Sequence, residues 1–180
     1  MKHKLIPVFL FLLTACSQDL TVEVKRNPLI QFNYGTASWK ANQYYFTDVA
    51  KVVAYPAGQA QTGKIYNRLT LQAFGETSKN ENLQLTLAFD VEDPAQLVGT
   101  YRNSYTVQRG LASAQIFNLN SNSLAAYELV KTDTTAFLQI QRQGQSERLI
   151  AGVFRMTVQN IKDTSQKITL ANGVLTDINY

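Results

Sequence analysis

What the chain has little of constrains it before anything else does. In 180 residues it carries one Cys and one His. A disulfide framework needs paired thiols and a structural zinc site needs several Cys or His ligands, so this composition supplies neither. Charge is sparse as well. Only 17% of residues are charged, and 17 Lys+Arg stand against 13 Asp+Glu as scattered single residues. Without a basic block or stripe there is no electrostatic footprint for nucleic acid. Long apolar runs are missing too. The run Leu5–Leu13 has nine residues, about half of the ~20 that a membrane-spanning helix requires. With 45% hydrophobic residues the chain is nevertheless too apolar to stay disordered.

The apolar run follows Lys2, His3 and Lys4 and ends in small residues, the layout of an export signal. Leu13-Thr14-Ala15-Cys16 resembles the bacterial lipobox, in which the Cys thiol accepts a diacylglyceryl group and the chain is cut just before it. The alternative is an ordinary secretory signal with an unrelated Cys behind it. On the lipobox reading, residues 1–15 are a signal peptide, 16–28 a lipidated tether and 29–180 a single domain. Cleavage then removes His3, Lys2 and Lys4, and acylation occupies Cys16. A Ser–His–Asp triad, a His-ligated metal and a Cys nucleophile all go with them. Carboxylates, Tyr, Lys and hydroxyls remain as catalytic groups. The expectation is a non-enzymatic protein with no metal and no cofactor, held to the membrane through acylated Cys16. Ser17, a residue other than Asp behind the Cys, resembles the sorting pattern of outer-membrane lipoproteins; the face of the membrane stays open.

The remainder reads as strands. Leu83, Leu85, Leu87, Phe89 and Val91 alternate with Gln84, Thr86, Ala88 and Asp90, a period of two that fits a half-buried strand and no helix face. Leu69, Leu71 and Ala73 alternate with Thr70 and Gln72, and Ala136, Leu138 and Ile140 with Gln139 and Gln141. Asn172-Gly173 between two such runs predicts a type I′ hairpin turn, and Ser78–Glu81 and Gln143–Ser146 predict longer hairpin loops. Asp93-Pro94-Ala95-Gln96 places a cap, a proline and a capping-box Gln in order, predicting one short helical turn near 93–98. About nine to eleven strands with short loops make an all-β domain, an antiparallel β-sandwich or a small β-barrel.

Thr36–Ala41 (TASWKA), Gly99-Thr100-Tyr101, Gly152-Val153-Phe154 followed by Thr157, and Ile168–Tyr180 (ITLANGVLTDINY) carry a resemblance. Together they are similar to a family of small uncharacterised Bacteroidota lipoproteins with an early Trp-bearing strand, a G-x-F strand and a closing glycine hairpin. The resemblance implies a lipid-anchored β-rich domain. The family has no assigned activity, so it implies no site residue.

Two clusters are candidate sites. Tyr44, Tyr45, Tyr101, Asn103 and Tyr105 form a possible binding surface, because aromatic rings beside amides and arginines suit a glycan or a peptide. Asp90, Glu92 and Asp93 are the densest carboxylate group. Such a trio suits a calcium ligand set or a glycosidase pair, or else a solvated strand end with Asp93 capping the next turn. Trp39, between Ala37 and Ala41, fits a core plug better than a sugar platform. The leading expectation is a binding or assembly role toward an envelope protein or glycan. A lipocalin-like carrier of a small apolar ligand and a carboxylate-based glycosidase are the alternatives.

Overall fold

Alternating apolar and polar residues build ten strands in the computed structural model, which describes residues 27–52, 66–103, 109–120, 125–144 and 148–180. They are β1 (Leu29–Tyr34), β2 (Ala37–Val52), β3 (Tyr66–Thr77), β4 (Asn82–Val91), β5 (Gly99–Arg102), β6 (Arg109–Asn118), β7 (Ala125–Leu129), β8 (Phe137–Gly144), β9 (Leu149–Asn160) and β10 (Lys167–Asn179). No helix occurs among the described residues.

The strands form one sheet in the order β10-β1-β2-β3-β4-β6-β5-β8-β9-β7, and β9 also pairs with β10. The sheet therefore closes on itself as a ring of nine strands. The closure is uneven. Toward one end, β5 and β8 bridge β6 to β9; toward the other, β7 alone bridges the same two strands through Gln115–Asn118 and Val158–Asn160. The sheet is mixed because β5 runs parallel to β6, with Arg102 beside Gly110.

Period-two alternation sorts the side chains between the two faces of the ring. Leu83, Leu85, Leu87 and Phe89 of β4 are buried inside it, and Gln84 and Thr86 face out half-buried. The interior is filled by large side chains, Trp39, Tyr101, Phe32, Phe89 and Phe154 foremost. Phe32 packs on Trp39 at 4.6 Å and on Phe154 at 5.9 Å, and Phe89 lies 4.8 Å from Tyr101. Burying each such ring stabilises the fold by about 2 kcal/mol.

Curvature comes from glycines set against bulges. A Cβ on Gly75 would stand 2.1 Å from the Lys40 carbonyl oxygen, and beside it β2 bulges between Ala41 and Gln43, leaving Asn42 as the extra residue. A Cβ on Gly152 would stand 2.2 Å from the Gln139 oxygen, where β8 bulges between Ile140 and Arg142. A bulge bends one strand, and the missing side chain lets its neighbour follow.

Two expectations are corrected. Asn172-Gly173 is not a hairpin turn but a bulge inside β10, where the register shifts between Leu170 and Gly173. Asn172 takes φ 53°. The left-handed backbone that suits Asn in a hairpin turn serves a bulge equally well. The segment 93–98 is not helical. Gln96 N–H donates to the Asp93 carbonyl at 3.0 Å and Ala95 N–H to the Asp93 carboxylate at 2.8 Å. The Asp cap is there, but the chain makes a single turn before entering β5.

Candidate functional site

The sequence-predicted residues separate in space. Tyr101 lies inside the ring, fully buried, and its hydroxyl donates to the Leu97 carbonyl at 2.6 Å. Asn103 is a loop clip, its amide nitrogen donating to the carbonyls of Val130, Lys131 and Asp133 at 2.9–3.1 Å. Tyr44 is half-buried against the core and its hydroxyl accepts from the Asn179 backbone N–H at 3.3 Å. Tyr105 and Cys16 fall outside the described residues. Of the aromatic candidates described, Tyr45 alone presents its ring to solvent, at 50% exposure.

The carboxylates also have separate roles. Asp90 is nearly buried and accepts both arms of Arg68, from Nε at 2.8 Å and Nη2 at 2.9 Å. The two residues face each other across β3 and β4. The hydrogen bonds to Asp90 raise the Arg68 pKa above its ordinary value against the opposing effect of burial. Asp93 is occupied by its turn, and Glu92 is exposed beyond the end of β4. Among the described residues no three Cys, His, Asp or Glu side chains group as a metal-ligand set.

A second internal clip completes the sheet where β7 and β8 leave β9 uncovered. The Asp133 carboxylate accepts the Thr157 backbone N–H at 2.9 Å, and the Thr135 N–H and hydroxyl at 3.0 and 2.6 Å. Burial pushes this carboxyl upward, but the hydrogen bonds from Thr135 and Thr157 outweigh it and hold its pKa below the ordinary range.

The outer face of β2, β3, β4 and β6 is different in kind. Cross-strand register lines up Gln43, Phe74, Gln84 and Phe117 in one row, and Tyr45, Gln72, Thr86 and Gln115 in the next. Tyr45 and Phe74 meet edge to face with centroids 6.1 Å apart. Phe74 escapes notice in the sequence, although one further step of the Leu69, Leu71, Ala73 alternation puts it on the wet face.

Beside these rings lies an open groove of about 820 Å³ across the outside of β1 and β2, with the β3–β4 hairpin on one side and the β10 bulge on the other. Gln31, Asn33, Asn42, Asn80 and Asn172 bring amides to it, and Ser38 and Ser78 bring hydroxyls. Lys40 and Glu76, also in its lining, stand opposite each other across β2 and β3. The size is that of a small-ligand site. Its residues come from four strands and one hairpin, and no local pattern in the sequence joins them. No family model, curated protein or solved structure matches the chain.

Proposed function

We propose that this protein is a lipid-anchored envelope binding module that works without catalysis and recognises a protein or glycan partner through the outer face of β1–β4. Its anchor is Cys16, and its kinship is with the lipoprotein family it resembles. The observation that carries the reading is the pairing of Tyr45 with Phe74 on a wet sheet face beside an amide-lined groove. An exposed Tyr45 ring backed by half-buried Phe74, next to side chains that both donate and accept hydrogen bonds, supplies the ingredients of a recognition surface. The carrier alternative has less support, since large side chains occupy the interior where an apolar ligand would sit. The glycosidase alternative needs an acid with a raised pKa, and the least exposed carboxylate of its trio, Asp90, is engaged by Arg68.

Retention of the detergent-solubilised full-length protein on delipidated envelope material tests the reading. Tyr45→Ala and Phe74→Ala should each cut retention about tenfold, equivalent to ~1.4 kcal/mol, with the melting temperature held. Ile161→Ala removes a side chain 49% exposed in the β9–β10 turn and should leave retention unchanged. Equal retention for all three variants would remove the binding face from consideration.

A further inference from the structure

The groove says more than that something binds. Several amides elsewhere in the molecule are consumed internally. Asn103 holds three carbonyls, Asn120 accepts from Asn82 and donates to the Asn80 carbonyl, and Gln143 bonds Leu97, Pro94 and Tyr180. The side-chain amides of Gln31, Asn33, Asn42 and Asn172 make no such bond among the described residues, and all four line the groove. Two of them are there by construction. Asn42 is the extra residue of the β2 bulge, and Asn172 is the left-handed residue of the β10 bulge. These strands flank β1 on its two sides, so each bulge re-aims an Asn onto the same groove. Bulges that redirect a side chain recur at binding sites.

The chemistry of the lining selects among ligands. Lys40 and Glu76 oppose each other, so their charges cancel and an anion or a cation gains nothing from the pair. An extended peptide would need an unpaired strand edge, and β1 and β2 are each paired on both sides. A carboxamide offers an acceptor and two donors, which match adjacent hydroxyls that both donate and accept. Resting on the binding-module reading above, we propose that the groove takes a neutral saccharide. Asn42 and Asn172 bond sugar hydroxyls from opposite sides of the groove, and the Phe74–Tyr45 pair, reached about 7 Å along β3 from Glu76, receives the next sugar ring.

The chain has a single Trp, and it lies beneath this groove. Fluorescence of Trp39, backed by calorimetry, therefore reports on the site in the full-length protein in detergent. The probes are linear hexasaccharides of glucose, mannose and N-acetylglucosamine, with hexagalacturonate as the charged comparator. At least one neutral hexasaccharide should bind better than hexagalacturonate. Asn42→Ala and Asn172→Gly should each weaken that binding roughly 3- to 10-fold, the loss of one or two neutral hydrogen bonds. Glycine keeps the left-handed bulge at position 172, so a preserved melting temperature separates lost binding from lost structure. Neutral sugar binding that survives both Asn variants but falls in Tyr45→Ala would overturn the groove and leave the binding face standing. Binding of hexagalacturonate alone, or of no sugar while envelope retention still depends on Tyr45 and Phe74, would overturn the ligand class only. No sugar binding together with retention indifferent to Tyr45 and Phe74 would overturn both.

Discussion

A residue's type predicts its chemistry; its face and its neighbours decide whether that chemistry is available. Tyr101 and Tyr45 are the same side chain, yet one hydrogen-bonds Leu97 within the core and the other stands half-exposed. The sequence could not separate them, because the phase of alternation through residues 99–105 depends on where β5 begins. Asp133 makes the same point from the opposite direction. Nothing in Asp133-Thr134-Thr135 suggests a keystone, and the similar Asp163-Thr164-Ser165 makes only its own turn, with Ser165 N–H and hydroxyl donating at 3.1 and 2.6 Å. What distinguishes Asp133 is that its second oxygen reaches β9. Asp133→Ala leaves the Thr157 N–H without its partner and should cost about 2 kcal/mol, read as a fall in the denaturant midpoint at neutral pH. Asp133→Asn keeps an acceptor and should cost less. Because the folded carboxyl lies below its ordinary value near 3.8, its contribution is complete above that value and is lost as pH falls through the folded pKa. The gap in stability between wild type and Asp133→Asn should therefore narrow only in acid. A gap that is constant from pH 7 to pH 2 would mean that the charge is irrelevant to the clip.

At the level of elements, strands with clean alternation were legible and strand geometry was not. Leu83–Val91 announces β4 and its buried face directly, and Ser78–Glu81 is a hairpin in which Asn80 N–H closes on the Thr77 carbonyl at 2.9 Å. By contrast, the two runs on either side of Asn172 read as a hairpin, and alternation breaks at Asn42 within β2. In the fold each interruption is a bulge within one longer strand as far as that strand is described, because a bulge and a turn draw on the same residues. The glycines opposite the bulges are equally silent in sequence. Gly75→Ala would drive a methyl group into the Lys40 carbonyl, a backbone atom that cannot step aside, and should cost more than ~3 kcal/mol. Gly144→Ala meets nothing nearer than 3.9 Å and should be neutral or stabilising by up to ~1 kcal/mol, through a less flexible unfolded chain. Thermal melts of the two variants check this. Similar midpoints would mean that Gly75 does not set the corner.

For the molecule as a whole, the distribution of polarity bears on how it meets a membrane. A strand ring embedded in lipid is apolar outside. This one is apolar within and carries Gln, Thr, Lys and Glu on its outer face. Its described strands lack the apolar outer band of such a ring, so on the lipoprotein reading proposed above attachment would fall to the segment ahead of β1. Residues 16–28 reach at most about 45 Å when extended. The chain enters the domain at Leu29, at the start of β1, and β1 then runs toward the Gly35 turn and the β3–β4 hairpin. The groove leans toward that far end, whereas Tyr45 and Phe74 lie beyond the β2 bulge, past the level of Leu29. If Cys16 is the anchor, Cys16→Ala should yield a soluble or unprocessed protein, because one acyl chain binds only marginally and two or three are needed to hold. Its affinity for envelope material, measured in detergent, should match that of the wild type. Membrane pelleting of the Ala variant at the processed mass would place the anchor elsewhere. A drop in its affinity would instead mean that the acyl group takes part in recognition.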